Sequence, residues 1–95
     1  MTAAEVHDEP ERSRFAAHVE GRLAGVAAYE LAEGRITFTH TVVEDDVEGQ
    51  GVGSALARTA LDAARERGLA VVPRCSFIAG WIDRHPDYAD LVRPA

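Results

Sequence analysis

Residues 35 to 73, RITFTHTVVEDDVEGQGVGSALARTALDAARERGLAVVP, change their hydrophobic period twice, and those two changes decide the fold. From Arg35 to Val43 the period is two. Ile36, Phe38, His40 and Val42 fall on one face and Thr37, Thr39, Thr41 and Val43 on the other, as in a strand rich in β-branched residues. From Gly51 to Arg67 the period is that of a helix, with Val52, Leu56, Ala57, Ala60, Leu61, Ala63 and Ala64 on one arc and Arg58, Asp62, Arg65 and Glu66 opposite. Gly68 supplies the stop, and Leu69 to Pro73 form a short buried strand. A strand, helix and strand of this length fold as a right-handed crossover, which lays the second strand parallel to the first. Pro73 has no amide hydrogen for a ladder, so the two strands are expected to separate beside it.

Working outward, residues 13 to 31, SRFAAHVEGRLAGVAAYEL, alternate at Phe15, Ala17 and Val19, break at Glu20-Gly21 and resume from Leu23 to Leu31. That is a β-hairpin, and the turn Ala32-Glu33-Gly34 joins it to the strand from Arg35. Residues 1 to 12 are polar and acidic with a proline, which predicts a flexible N-terminal tail ahead of one folded domain over residues 13 to 95. After the crossover, Ser76 is the expected N-cap of a short helix, FIAGWIDRH, and Pro86 opens a second short helical stretch. The expected fold is α/β in the α+β sense. It comprises an antiparallel three-strand meander, a crossover helix, a fourth parallel strand and short C-terminal helices.

Ninety-five residues support one domain that buries roughly 60 to 65% of its unfolded surface. A net charge of −6 without any basic run excludes a nucleic-acid surface and draws cationic substrates weakly. No apolar run approaches the ~20 residues needed to span a bilayer, and the N-terminus lacks a secretory apolar stretch. With its single Cys75, the chain is expected in the cytoplasm, with no membrane partner.

The loop into the helix carries glycines at 49, 51 and 53. Such a loop can aim several backbone N–H groups at one anion, aided by the positive end of the helix dipole. The same glycines would also serve a tight turn with close helix packing. A P-loop would need Gly-Lys-Ser or Gly-Lys-Thr, which is missing, and a Rossmann fingerprint belongs after the first strand of a longer parallel sheet.

EGQGVG at residues 48 to 53 resembles the Gln/Arg-x-x-Gly-x-Gly/Ala motif of the GNAT superfamily of acetyl-coenzyme A dependent N-acetyltransferases, with Glu48 where that family has Gln or Arg. His40-Thr41, GQGVGSAL at 49 to 56, ARERGLAVVPRCSF at 64 to 77 and HPDYADLV at 85 to 92 together resemble its small, single-domain predicted acetyltransferases of the YjdJ type, over nearly all of residues 13 to 93. The resemblance implies a site where the central strand and the strand after the helix splay apart. It implies that the amides of Gly49, Gln50, Gly51, Val52, Gly53 and Ser54 meet the pyrophosphate of coenzyme A. The pantetheine arm would run along the backbone of Val42, Val43 and Glu44, with the thioester end toward Cys75.

Acetyl transfer needs a neutral amine, and a lysine-like group of pKa ~10.4 is neutral at pH 7 only about 0.04% of the time, a cost of roughly 4.6 kcal/mol. Three residues near the gap can assist. His40 has the chemistry of a general base, although a histidine among Ile36 and Phe38 also suits a hydrogen-bonded core position. Glu44 can act as base or amine attractor, or belong to a solvated acidic loop. Cys75 is a working thiol or a buried structural one. Arg74 can meet a phosphate or solvate an edge; Phe77, Trp81 and Tyr88 are expected in the core, Tyr88 with a second possibility as proton donor.

The expected activity is transfer of acetyl from acetyl-coenzyme A, without a metal, to an amine on a small molecule or a protein. The alternatives are a non-catalytic acyl-coenzyme A binding or regulatory module, and an interaction domain whose glycine loop is structural.

Overall fold

The structure, a computed structural model, describes residues 4 to 92. Five strands form one open sheet in the order β1 (Glu5–Glu9), β2 (Arg14–Val19), β3 (Arg22–Ala32), β4 (Arg35–Val43) and β5 (Ala70–Pro73). β2 to β4 are the expected antiparallel meander. β5 lies parallel to β4, with Arg35 opposite Ala70 and Phe38 opposite Pro73. The crossover helix α1 (Val52–Glu66) and the shorter α2 (Ser76–Arg84) share one hydrophobic core with the sheet. An α+β fold is thus established.

The hairpin between β2 and β3 turns on Glu20 and Gly21, both at positive φ, +52° and +81°. This is the backbone that a two-residue turn with matching twist demands. α1 buries Val52, Leu56, Ala57, Ala60, Leu61 and Ala64, the arc predicted from the period. It stops at Gly68, φ +68°, where the Leu69 N–H donates to the Ala64 carbonyl at 2.9 Å and the Gly68 N–H to the Arg65 carbonyl at 3.2 Å. That pair of bonds satisfies carbonyls which the helix end would leave without partners.

Three expectations are corrected. Within the segment expected to be a tail, Glu5–Glu9 is a strand, antiparallel to β2 with Val6 opposite Ala17 and Asp8 opposite Phe15; residues 1 to 3 lie outside the described residues. Its anchor is polar: Asp8 accepts a 2.6 Å hydrogen bond from the Tyr29 hydroxyl and pairs with Arg67 at 3.0 Å. The Arg14 guanidinium donates to Glu9 at 2.7 Å and holds that carboxyl below its ordinary pKa. Second, Cys75 and not Ser76 caps α2, with its carbonyl accepting from the Ala79 N–H at 3.0 Å.

The third correction concerns the far half of β4. Tyr29 stands opposite Phe38 but Ala28 stands opposite His40, so Thr39 is an extra residue, a bulge. One extra residue reverses every side chain beyond it. Ile36 and Phe38 are buried as expected, whereas His40 and Val42 are exposed and Thr41 and Val43 turn toward the helices' side. The expected place of His40 beside Ile36 and Phe38 is therefore wrong.

Candidate active site

α1 begins at Gly51, which caps it at φ +83°; Gly49 stands at +84°. A Cβ at either would meet nothing within 4 Å, so these two glycines serve the backbone angle and leave the space above them open. Gly53 is different. Its φ is ordinary, but a Cβ there would come within 2.7 Å of the Phe77 ring, so this glycine makes room for α2. Residues at the first turn of a helix have N–H groups without an intrahelical acceptor. No side chain caps this turn, and no acidic residue stands in it.

A cleft of about 580 Å³ opens over the turn. One wall is Gly49, Gly51, Val52, Gly53 and Ser54 with Glu48 beside them; Thr41 and Val43 of β4 form its floor, and Phe77, Trp81, Arg84 and His85 close the far side. The floor exists because β5 ends early. Its last pair is Phe38 with Pro73, after which the Cys75 N–H donates to the Phe38 carbonyl at 2.9 Å and the chain turns into α2. The Glu44 N–H donates to Ala24 of β3 at 2.8 Å. Successive strand residues aim their backbone groups at opposite sides, so Val43 and Thr41 direct theirs away from β3, into the gap that β5 leaves.

Cys75 sits beneath this floor, buried, with Sγ 3.2 Å from the Thr41 hydroxyl. Thr41 thereby links the cleft to the thiol. His40 and Glu44 do not line the cleft; His40 is exposed and Glu44 lines a groove on the opposite sheet face with Val42. Gln50 is exposed and likewise outside the cleft lining, its N–H donating to the Val47 carbonyl at 3.2 Å. Arg74 borders a separate groove with Arg35 and Thr37. Among the described residues no three His, Cys, Asp or Glu side chains are grouped to hold a metal ion, and no helix is long and apolar enough to cross a membrane.

The far wall is better built than the sequence suggested. Trp81 is buried, as expected, yet its Nε1 also reaches across to donate to Ser54 Oγ at 3.0 Å, tying α2 to the first turn of α1. His85 stacks on Trp81 with ring centroids 3.7 Å apart. Its Nδ1 is 2.7 Å from the Trp81 carbonyl oxygen, which can only accept, so Nδ1 carries the proton. Phe77, Trp81 and Arg84-His85 recur at helical spacing, and this was the signal available for the missed wall. Tyr88 packs edge-on to Trp81, its hydroxyl donating to Asp62 at 2.7 Å; that bond, with burial, raises its pKa.

Residues 14 to 91 match the family model described as GCN5-related N-acetyl-transferase. The solution structure of a GCN5-like protein of Staphylococcus aureus, described as an N-acetyltransferase, superposes with a TM-score of 0.72 at 26% identity, covering 96% of this chain and 89% of that one. A ribosomal-protein-alanine N-acetyltransferase from Brucella melitensis biovar Abortus 2308 gives 0.60 at 25% identity, over 86% of this chain and 62% of its own. An aminoglycoside acetyltransferase from an uncultured soil metagenomic sample, in complex with sisomicin, shares the fold at 0.60 and 19% identity, over 85% and 56%. No curated protein sequence matches the chain.

Proposed function

Because the chain belongs to the GCN5-related N-acetyltransferase family, we propose that it binds acetyl-coenzyme A in the cleft above the glycine turn and transfers the acetyl group to an amine. One observation carries this reading. A single cleft is lined both by the Gly49 to Ser54 turn and by Thr41 and Val43, where β4 continues without β5.

The turn suits a diphosphate: Gly49 and Gly51 present no Cβ, and the N–H groups of Val52, Gly53 and Ser54 point out of the positive end of α1. Gln50 is not among these donors, because its N–H is bonded to the Val47 carbonyl and the residue lies outside the cleft lining. Acetyl-coenzyme A supplies the activated acyl group. The backbone groups that β4 frees at Thr41 and Val43 hold the extended arm, with Val42 and Glu44 shaping that edge through their pairing with β3. An N–H at this edge faces the charge that develops on the thioester oxygen.

Of the three candidate side chains, Cys75 has the strongest support, because its partner Thr41 lines the cleft while His40 and Glu44 do not. His40 and Glu44 remain candidates for taking the amine's proton only from the rim. The reading is of direct transfer, with Cys75 at the acetyl end. An amine of a small molecule or a protein is the acceptor, favoured when cationic by the net charge of −6, and the cytoplasm is the setting.

Calorimetric titration with coenzyme A, followed by acetyl-coenzyme A consumption with a panel of amines, tests the reading. Saturable binding and acceptor-dependent release of free coenzyme A are expected. Absence of binding overturns it, and binding without turnover by any amine reduces the protein to a non-catalytic acyl-coenzyme A module.

A further inference from the structure

Among the described residues Arg84 is the one arginine that lines the cleft, and it makes no ion pair and no hydrogen bond there. Most of its counterparts are occupied: Arg14, Arg22, Arg65 and Arg67 pair with Glu9, Asp46, Asp90 and Asp8, and Arg58 lies over the Trp81 ring. Acidic partners abound in a chain with sixteen Asp and Glu. An unpaired guanidinium in the main cleft of such a chain stands out.

The backbone that carries it is held. Arg84 occupies the last turn of α2, and its Nη1 lies 3.5 Å from where a Cβ on Gly80 would be, so the side chain folds back along the helix over a glycine. The next residue, His85, is fixed by its stack on Trp81 and by the Nδ1–H bond to the Trp81 carbonyl. Trp81 is in turn tied to Ser54. The helix that carries the exposed Arg84 side chain is therefore tied to the glycine turn, and the guanidinium extends into the cleft from a fixed backbone. A ligand carrying a single phosphate cluster is fully served by the N–H groups of α1. A second cationic contact on the other wall fits a ligand with a second, separate anionic group.

We propose that Arg84 binds the phosphomonoester on the ribose of coenzyme A, apart from the diphosphate at the glycine turn, so that the protein distinguishes coenzyme A from its dephosphorylated form. This rests on the acetyl-coenzyme A reading above. A phosphomonoester carries close to two negative charges at neutral pH and takes a guanidinium in a forked pair of hydrogen bonds. Glu48 lines the same cleft beside the turn and makes no ion pair with Arg84.

The test is calorimetric titration of the wild type, Arg84→Gln and Arg84→Lys with coenzyme A and with dephospho-coenzyme A at low and high salt, with circular dichroism to confirm the fold. The wild type is expected to prefer coenzyme A by about tenfold or more at low salt, the size of one charge-assisted forked contact. Arg84→Gln should lose that preference and keep its affinity for dephospho-coenzyme A, while Arg84→Lys should keep part of it and salt should weaken it. Equal weakening for both ligands would assign Arg84 to the diphosphate and overturn the proposal, as would unchanged discrimination in Arg84→Gln. A wild type that binds coenzyme A without preference refutes the role of Arg84 alone; one that binds neither ligand refutes the acetyl-coenzyme A reading as well.

Discussion

The Thr41 hydroxyl lies 3.2 Å from Cys75 Sγ, a contact between the floor of the cleft and the residue that caps α2. Under the proposed function, a thiol so placed either receives the acetyl group or lines its pocket; otherwise it is a buried structural thiol. Direct transfer predicts no covalent adduct when the protein meets acetyl-coenzyme A without an acceptor. The ten basic residues are all arginine, so the chain has no lysine to confuse the measurement, and any adduct must sit on the thiol, a hydroxyl, a histidine or the N-terminus. Intact mass after brief exposure should be unchanged in the wild type. A rapid single acetyl adduct present only in the wild type, absent in Cys75→Ala and discharged by amine, would establish the covalent route instead.

Gly51 and Gly53 of the turn should behave differently. Gly51→Ala places a Cβ on a φ of +83° and is expected to cost about 1 to 2 kcal/mol while weakening coenzyme A binding. Gly53→Ala forces the Phe77 ring aside and should move coenzyme A affinity with a smaller loss of stability, since an exposed ring can yield. Urea unfolding and titration of both variants separate the two; identical profiles would contradict the distinction.

Gly25 is expected to be the least tolerant glycine. A Cβ there would stand 2.9 Å from the Val42 carbonyl and 3.2 Å from Val52 Cγ1, pressing on β4 backbone and the start of α1 together. Gly25→Ala should destabilise by about 1 to 3 kcal/mol in denaturant unfolding. A neutral result would show that β3 and β4 separate easily beside Val43.

Stability should fall at alkaline pH for a defined reason. Burial, with the hydrogen bond to Asp8, pushes Tyr29 up from 10 to about 12. The folded state thus holds its phenolic proton more tightly than the unfolded state. That stabilisation is complete below pH 10 and is lost as pH rises from 10 through 12, by at most about 3 kcal/mol. Tyr88, also raised, adds to the same loss. Tyr29→Phe should be less stable at pH 7 by about 1 kcal/mol and show a shallower alkaline decline; thermal melts across pH 8 to 12 read both.

The parts of the fold that could be read in the sequence were those written in apolar spacing. Val52 to Ala64 announced α1, and Phe15, Ala17 and Val19 announced β2. β1 was hidden because it turns only Val6 and Asp8 inward and is held through a carboxylate, a tie between residues 8, 29 and 67 that no local pattern records. The glycine turn was legible, since positive φ leaves a residue signature. The far wall of the cleft was not: Trp81 and Phe77 carry the same letters whether they fill a core or line a cleft, and here Trp81 does both. His40 was misplaced because a bulge has no composition of its own.

Thr39 makes the site a matter of counting. Which residues face the cleft depends on how many come before them in β4, and far less on which residue the bulge happens to be. Point substitutions at position 39 leave the count intact, so ordinary drift of the sequence preserves the inward aim of Thr41 and Val43. Insertion of a single residue there, with the bulge kept, would exchange the two faces downstream, sending His40 and Val42 in and Thr41 and Val43 out, and would separate Cys75 from its partner in one step. The site is thus robust to misspelling and fragile to insertion.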